Sequence, residues 1–277
     1  MTAPGRVEAA TPVPPAVDRD PGPLEAALRA GRAAGRKLLV PYVTGGLGPS
    51  WLEVAEAVAV AGADALEVGI PFSDPVMDGP TIQEASATAL AGGATPAGIL
   101  AELGRHTVGV PVAAMTYVNL AARGGFGSFA DRLARAGVAG CILPDLPLEE
   151  AGPWLRAATD AGVETVMLAA PTTPDDRLGP ICAAARGFVY GVGLLGVTGE
   201  RANLADTAQA MAARLKAATD KPVLIGVGVS TPEQAVQVCG AADGVIVGSA
   251  LVRRLLEGGG PEEAGAFVAE LRAALDA

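Results

Sequence analysis

The sequence predicts an α/β protein: a single (β/α)8 TIM barrel with an N-terminal helix and a disordered N-terminal tail. Its 277 residues are close to the roughly 250 that are typical of one such barrel. Half of the residues are hydrophobic (50%), which is enough to fill a large core. Short apolar runs alternate with longer amphipathic stretches, and the runs are continuously apolar, as expected of parallel strands that are covered on both faces. An open, doubly wound sheet is the alternative that this alternation leaves.

The tail and the first helix open the chain. Residues 1–23 are rich in alanine, proline and charge, which predicts a disordered segment, and they lack the apolar core of a signal peptide. Residues 24–34 show a short helical pattern that Gly35 ends. We therefore expect one barrel domain over residues 24–277.

Eight apolar runs are the predicted strands. They are Leu38–Val43, Ala65–Ile70, Val112–Tyr117, Gly140–Leu143, Thr165–Ala169, Gly187–Val192, Val223–Val227 and Gly244–Val247. The stretches between them predict helices, among them Trp51–Ala61, Thr81–Leu90, Phe129–Ala136, Glu150–Ala161, Ala208–Ala218 and Pro232–Val238. A glycine follows the helix at four helix-to-strand junctions, which is typical of a repeated β/α unit: Gly62, Gly137, Gly162 and Gly240.

Composition excludes several function classes. Lys+Arg 20 against Asp+Glu 30 give a formal net charge of −10, which argues against nucleic acid or an anionic membrane as a partner. No run of about 18 apolar residues predicts a membrane span. The three cysteines, Cys141, Cys182 and Cys239, lie far apart without metal-ligand spacing. They predict neither a disulfide framework nor a zinc site, and they fit a reducing cytoplasm.

Glycine-rich segments follow the last three strands and predict a phosphate site. They are Gly196-Val197-Thr198-Gly199, Gly226-Val227-Gly228-Val229-Ser230 and Val247-Gly248-Ser249-Ala250, the last of which opens a helix. Glycine lets the backbone approach an anion, and a helix N-terminus supplies free N–H groups. A phosphate site after strands 7 and 8 recurs in barrels.

Glu67 is the clearest catalytic candidate. It lies inside the apolar second strand, where a carboxylate is costly unless it is paired or functional. The proline-stiffened loop that follows carries two more acids, Asp74 and Asp78. A buried carboxyl group at a barrel mouth has a raised pKa and can act as both general acid and general base.

Other chemistries lack their residues. The three lysines, Lys37, Lys216 and Lys221, lie before strands or in a helix, so none is placed to form a Schiff base. The single histidine, His106, precedes the third strand, at the wrong end of the barrel, and no metal ligand set is present. A phosphorylated substrate that is handled by carboxylates and supplies its own electron sink remains.

The segment Ala65-Leu66-Glu67-Val68-Gly69-Ile70-Pro71-Phe72-Ser73-Asp74-Pro75, with Asp78-Gly79-Pro80-Thr81-Ile82-Gln83, resembles the signature of the tryptophan synthase alpha subunit family. Further segments resemble that family in the same order along the chain. They are Pro41-Tyr42-Val43-Thr44, Met115-Thr116-Tyr117-Val118-Asn119, Pro144-Asp145-Leu146-Pro147, Tyr190, and the three glycine-rich segments.

The resemblance implies cleavage of indole-3-glycerol phosphate to indole and glyceraldehyde 3-phosphate, without a cofactor in this chain. It also implies an alpha2beta2 complex with a beta subunit that carries pyridoxal phosphate and consumes the indole. Glu67 would move protons between the glycerol hydroxyl and indole C3, and Asp78 would bind the indole N–H. Protonation of C3 would create the electron sink that the residues demand.

The resemblance also assigns binding residues. Tyr190 would flank Glu67, and Thr198 would position Asp78. The substrate would further contact Tyr42, Met115, Tyr117, Ile142 and Val227, and its phosphate would bind Gly199, Gly228, Gly248 and Ser249. Asp74, Pro75 and Asn119 would face the beta subunit.

The chain departs from the family pattern at Leu47, Gly193 and Leu120, where an acid, a serine and a proline are common. The first and third lie in loops that would face a beta subunit, so they bear on the coupling and not on Glu67 or Asp78. A stand-alone lyase that releases free indole for specialised metabolism is the main alternative. A non-catalytic activator and a sugar-phosphate isomerase fit the two acids less well.

Overall fold

Eight parallel strands close into a barrel in the computed structural model, which describes residues 20–193 and 202–277. The strands are β1 (Leu38–Thr44), β2 (Leu66–Gly69), β3 (Val112–Met115), β4 (Gly140–Ile142), β5 (Glu164–Ala169), β6 (Val189–Val192), β7 (Val223–Gly226) and β8 (Gly244–Val247). All eight predicted strands are confirmed. Pairing of β8 with β1, from Leu38 opposite Gly244 to Pro41 opposite Val247, closes the sheet and rules out the open alternative.

The helices of the described residues surround the sheet. They are α1 (Pro23–Ala33), α2 (Trp51–Val60), α3 (Pro80–Ala91), α4 (Pro96–Leu103), α5 (Val118–Ala122), α6 (Phe126–Arg135), α7 (Gly152–Ala161), α8 (Asp175–Ala184), α9 (Ala202–Ala218), α10 (Pro232–Cys239), α11 (Ser249–Leu256) and α12 (Pro261–Asp276). Each helix that the sequence predicts is present. The largest shifts are at α9 and α6, which begin six and three residues earlier than predicted.

Glycine ends the helices as predicted at three of the four junctions. Gly62, Gly137 and Gly162 have positive φ angles of 108°, 71° and 75°, a backbone conformation that other residues rarely adopt. Gly240 does not follow this pattern. Its φ of −57° continues the right-handed turn of α10, so no left-handed residue is needed there.

Two hydrophobic layers hold the barrel together. Side chains on the outer faces of the strands pack under the helices, and a smaller inner core fills the barrel itself. Leu24 and Leu28 of α1 belong to the inner core and close its N-terminal end. Glu164 accepts the backbone N–H groups of Leu24 at 2.7 Å and Glu25 at 3.0 Å, which secures this helix. The open end of the barrel is therefore the C-terminal one, where barrel enzymes place their sites.

The remaining predictions concern the N-terminal tail, membrane-spanning helices, metal sites and the cysteines. Residues 1–19 of the expected tail are outside the described part of the chain. No helix within residues 20–193 and 202–277 is long and apolar enough to cross a membrane. Within the same ranges no group of three histidine, cysteine or acidic residues could hold a metal ion. The three cysteines are free and buried.

Candidate active site

Glu67 lies at the centre of the open end. It projects from β2, in register with Tyr42 on β1 and Ala113 on β3, and its side chain is only 1% exposed. Its Oε2 atom has no hydrogen-bond partner among the described residues. Burial, with a smaller contribution from the charge of Asp78, raises the pKa of Glu67 to about 8. A carboxyl group that is protonated at neutral pH and has one unpartnered oxygen can give up and take back a proton.

Asp78 ends the loop between β2 and α3. The loop is folded back on itself, since the N–H of Asp78 donates to the carbonyl of Pro75 at 3.2 Å. The side-chain amide of Gln83 donates to the carbonyl of Asp78 at 2.8 Å. Burial raises the pKa of Asp78, while a hydrogen bond from the Tyr117 hydroxyl opposes the rise. Asp78 and Glu67 interact electrostatically, so the predicted acids are brought together.

Two tyrosines cross the mouth in the same way. The ring of Tyr42 lies over Gly69 and that of Tyr190 over Gly226, so a Cβ at either glycine would overlap the tyrosine hydroxyl. In each case the glycine is on the next strand, two residues beyond the tyrosine's register partner, which is Glu67 for Tyr42 and Leu224 for Tyr190. Burial raises the pKa of both tyrosines, which stay neutral beside the acids.

The residues that were predicted to form the wall of the pocket lie in two different layers. Met115 and Ile142 are in contact with the inner core, facing the barrel axis. Val227 differs from the prediction, because its side chain is buried in the outer layer with Val223 and Ile225. Alternate residues of a strand face opposite sides, and this alternation continues one residue past β7.

Two segments of the predicted anion site follow the neighbouring strands β7 and β8. Gly228 follows β7 with a φ of 74°, and Gly248 precedes α11, whose first residue is Ser249. The Leu251 N–H donates to the carbonyl of Gly248 at 3.0 Å, and no side chain of the described residues caps this helix, so the N–H groups of Ser249 and Ala250 are the ones that could meet a ligand. Thr198 and Gly199, which were expected to complete the site, lie outside the described residues.

The expected partner surface is the loop after β2 together with the start of α5. Asp74 and Asn119 are exposed and Pro75 is half-buried. Sequence reasoning missed Val76 and Met77, whose side chains are 80% and 57% exposed. Two consecutive apolar residues between Asp74 and Asp78, in a loop expected to face solvent, are the signal that could have identified them.

The residues at the three departures from the family pattern are all packed against neighbouring side chains. A Cβ at Gly193 would overlap Val227, so a larger residue does not fit there. Leu47 packs against the small cluster of Tyr42, Ile82, Ala85 and Val252. Leu120 packs against the outer layer.

Comparison with known proteins identifies relatives of this chain. Residues 28–274 match the family model described as tryptophan synthase alpha chain. The chain is 46% identical over 234 residues to the tryptophan synthase alpha chain of Streptomyces avermitilis, covering 83% of this chain and 84% of the relative. It is 44% identical over 250 residues to that of Prochlorococcus marinus, covering 87% and 90%.

Solved structures give the same result. A structure of Mycobacterium tuberculosis tryptophan synthase superposes with a TM-score of 0.85 at 39% identity, over 92% of this chain and 99% of that one. The alpha subunit of the Legionella pneumophila enzyme superposes with a TM-score of 0.83 at 34% identity, over 92% and 98%.

Proposed function

We propose that this chain, which belongs to the tryptophan synthase alpha chain family, cleaves indole-3-glycerol phosphate to indole and glyceraldehyde 3-phosphate in tryptophan biosynthesis. The observation that carries the proposal is Glu67, a buried acid with one unpartnered oxygen and a second acid, Asp78, close enough for their charges to interact. Cleavage of a carbon–carbon bond without a lysine or a metal ion needs an acid, a base and an electron sink in the substrate.

Glu67 supplies the acid and the base in this proposal. With a pKa of about 8 it is protonated at neutral pH and can protonate C3 of the indole ring. The protonated ring is an indolenine, which accepts the electron pair of the breaking bond between C3 and the adjacent glycerol carbon. The Glu67 carboxylate then takes the proton of the hydroxyl on that carbon, which becomes the aldehyde carbon of the product. Glu67 thus loses one proton to C3 and regains one from the hydroxyl, so it is protonated again for the next turnover.

Asp78 supplies the matching charge. Its carboxylate would accept the indole N–H and stabilise the positive charge that protonation of C3 places on that nitrogen. The hydrogen bond from Tyr117 supports this role, because it favours the ionised form of Asp78. Tyr42, Tyr190, Met115 and Ile142 would enclose the ring.

The phosphate would be held by neutral donors. The donors would be the backbone N–H groups of Gly228 and of Gly248 and Ser249 at the N-terminus of α11. Thr198 and Gly199 are proposed to complete the site. The scheme uses no cofactor in this chain, and we assign pyridoxal phosphate to the beta subunit.

The partner in this proposal is a tryptophan synthase beta subunit in an alpha2beta2 complex in the cytoplasm. The loop with Asp74 and Pro75 presents two exposed apolar side chains, Val76 and Met77, beside the exposed Asn119. Burying such side chains is favourable in a protein interface.

Substitution of Glu67 by glutamine tests the chemistry. We expect Glu67→Gln to lower the rate of indole release by at least about 10²- to 10⁴-fold, the usual worth of general acid–base catalysis. Binding of glycerol 3-phosphate, measured by calorimetry, should be unchanged. Glu53→Gln, on the exposed face of α2, is the matched control and should keep wild-type turnover. A Glu67→Gln variant that kept more than about a tenth of the turnover would remove Glu67 from this role.

A further inference from the structure

Asp145 has no part in the proposed chemistry, yet its carboxylate reaches a neighbouring β/α unit. Asp145 lies in the turn after β4, which the hydrogen bond from the N–H of Leu146 to the carbonyl of Leu143 closes at 3.2 Å. Its Oδ1 accepts the N–H of Val118, the first residue of α5, at 2.9 Å. Helix α5 has five residues, and its N-cap residue, Tyr117, makes no side-chain cap. Asp145 therefore supplies from another loop the acceptor that helix α5 lacks.

Tyr117, the residue next to that cap, anchors the loop that carries Asp78. Its hydroxyl oxygen accepts the N–H of Met77 at 3.0 Å, and its hydroxyl group hydrogen-bonds the side chain of Asp78. Its ring stacks on Phe72 with the centroids 5.1 Å apart. These contacts reach the first part of the loop through Phe72 and its end through Met77 and Asp78. The position of the Tyr117 backbone thus influences where the Asp78 carboxylate lies.

We propose that Asp145 is a positioning residue for the reaction: it fixes the start of α5, and thereby Tyr117, which holds Asp78 in place. The inference rests on the proposed function, in which Asp78 must be ionised and must meet the indole N–H. Asp145 is half-buried beside the barrel mouth and contacts no reacting atom in this scheme.

The effect can be read in a pH profile. The groups that face Asp78 are Glu67 on β2, Tyr42 on β1, Tyr117 after β3 and Tyr190 on β6. Of these, only the Tyr117 hydroxyl lowers the pKa of Asp78 by a hydrogen bond. If Tyr117 is displaced, the pKa of Asp78 rises, and a higher pH is needed to ionise it. The acid side of the profile of kcat/KM should then move to higher pH.

Four variants test the inference on the full-length chain, assayed for cleavage of indole-3-glycerol phosphate from pH 5 to 9. Asp145→Ala removes the cap and should lower kcat about tenfold, as expected for the loss of one hydrogen-bond acceptor. Asp145→Asn keeps an acceptor for Val118 and should behave like the wild type. Tyr117→Phe should lower kcat and shift the acid side of the profile as Asp145→Ala does. Thr95→Val is the matched control, because the Thr95 hydroxyl caps α4 by accepting the N–H of Gly98 at 3.1 Å, and α4 has no part in the proposed chemistry.

The double variant shows whether Asp145 acts on Asp78 through Tyr117 or whether its loss disturbs the structure in general. In the Tyr117→Phe background, Asp145→Ala should add less than about twofold, because both act on the same contact. Affinity for glycerol 3-phosphate should be unchanged in every variant. If Asp145→Ala does not fold, as judged by thermal unfolding, Asp145→Leu offers a similar shape without an acceptor.

Three results would overturn the inference. They are a profile of Asp145→Ala that is not shifted, losses that multiply in the double variant, and an Asp145→Asn variant as impaired as Asp145→Ala. A wild-type protein that does not cleave the substrate at all would instead refute the proposed function, so the two failures are distinguishable.

Discussion

Replacing Glu67 by glutamine should stabilise the protein against unfolding at alkaline pH, and the gain should grow as the pH approaches 8. Burial of the carboxyl group, with the charge of Asp78 nearby, raises its pKa from 4.5 to about 8. In the unfolded chain the same group meets water and ionises near its ordinary value. Between these values the folded state keeps a proton that the unfolded state has released. Stability is therefore lost as the pH rises, until the folded group has also ionised.

The size of the effect follows from the shift. At about 1.4 kcal/mol per pKa unit, a change from 4.5 to about 8 corresponds to roughly 5 kcal/mol at most. About 2 kcal/mol of this should be lost between pH 6 and pH 8, and the loss should level off near pH 9. The glutamine variant cannot ionise at this position, so the difference between the two proteins isolates Glu67 from all other titrating groups.

Urea denaturation at fixed ionic strength, followed from pH 5.5 to 9.5, measures this difference directly. Wild type, Glu67→Gln and the exposed control Glu53→Gln would be compared at each pH, and the control should follow the wild-type curve. Parallel curves for wild type and Glu67→Gln across this range would show that Glu67 is not held protonated by burial. The role of Glu67 as the first proton donor would then be untenable.

Two further substitutions probe the remaining parts of the site. Asp78→Asn should slow cleavage about 100-fold by weakening transition-state electrostatics, and it should lower the pKa of Glu67, which the charge of Asp78 raises. An indole analogue without the N–H should react slowly with wild type and show little further loss in Asp78→Asn; a full further loss would place Asp78 elsewhere. Gly228→Asp puts a side chain and a like charge beside the expected phosphate, so calorimetry should detect no binding of glycerol 3-phosphate although the circular dichroism spectrum is unchanged. Normal binding by that variant would move the phosphate away from β7 and β8.

The barrel was predictable because its signals are local. A strand that is covered on both faces is continuously hydrophobic, so its own few residues identify it. All eight predicted strands are present. Glu67 stood out for a related reason, since a carboxylate inside an apolar strand such as β2 differs from its neighbours. Asp78 lies in the loop after β2, and only the resemblance to the family distinguished it from Asp74. Closure of the sheet was one of two arrangements that this pattern allowed, and the pairing of β8 with β1 decides between them.

Features that depend on contacts between distant segments were not predictable. The third strand was expected to run to Tyr117 but ends at Met115, where the Thr116 hydroxyl donates to the carbonyl of Ile70 at 3.2 Å and Asp145 captures the next helix. Val227 faces outward because the alternation of β7 continues through it, and the continuously apolar run Val223–Val227 does not show which residues face the barrel axis. The residues next to Thr116, Asp145 or Val227 in the sequence give no sign of these contacts.

The two pairs of a tyrosine over a glycine make the aperture of the barrel a property of its sheet and not of its loops. Each ring rests on the backbone of the adjacent strand, at Gly69 and at Gly226. Movement of the surrounding loops can change how easily a ligand enters, but the distance between the two rings is fixed by strands that pair along their length. Tolerance for bulkier aromatic substrates should therefore vary with residues at the strand ends, and grafting loops from a relative with broader substrate range should leave it unchanged.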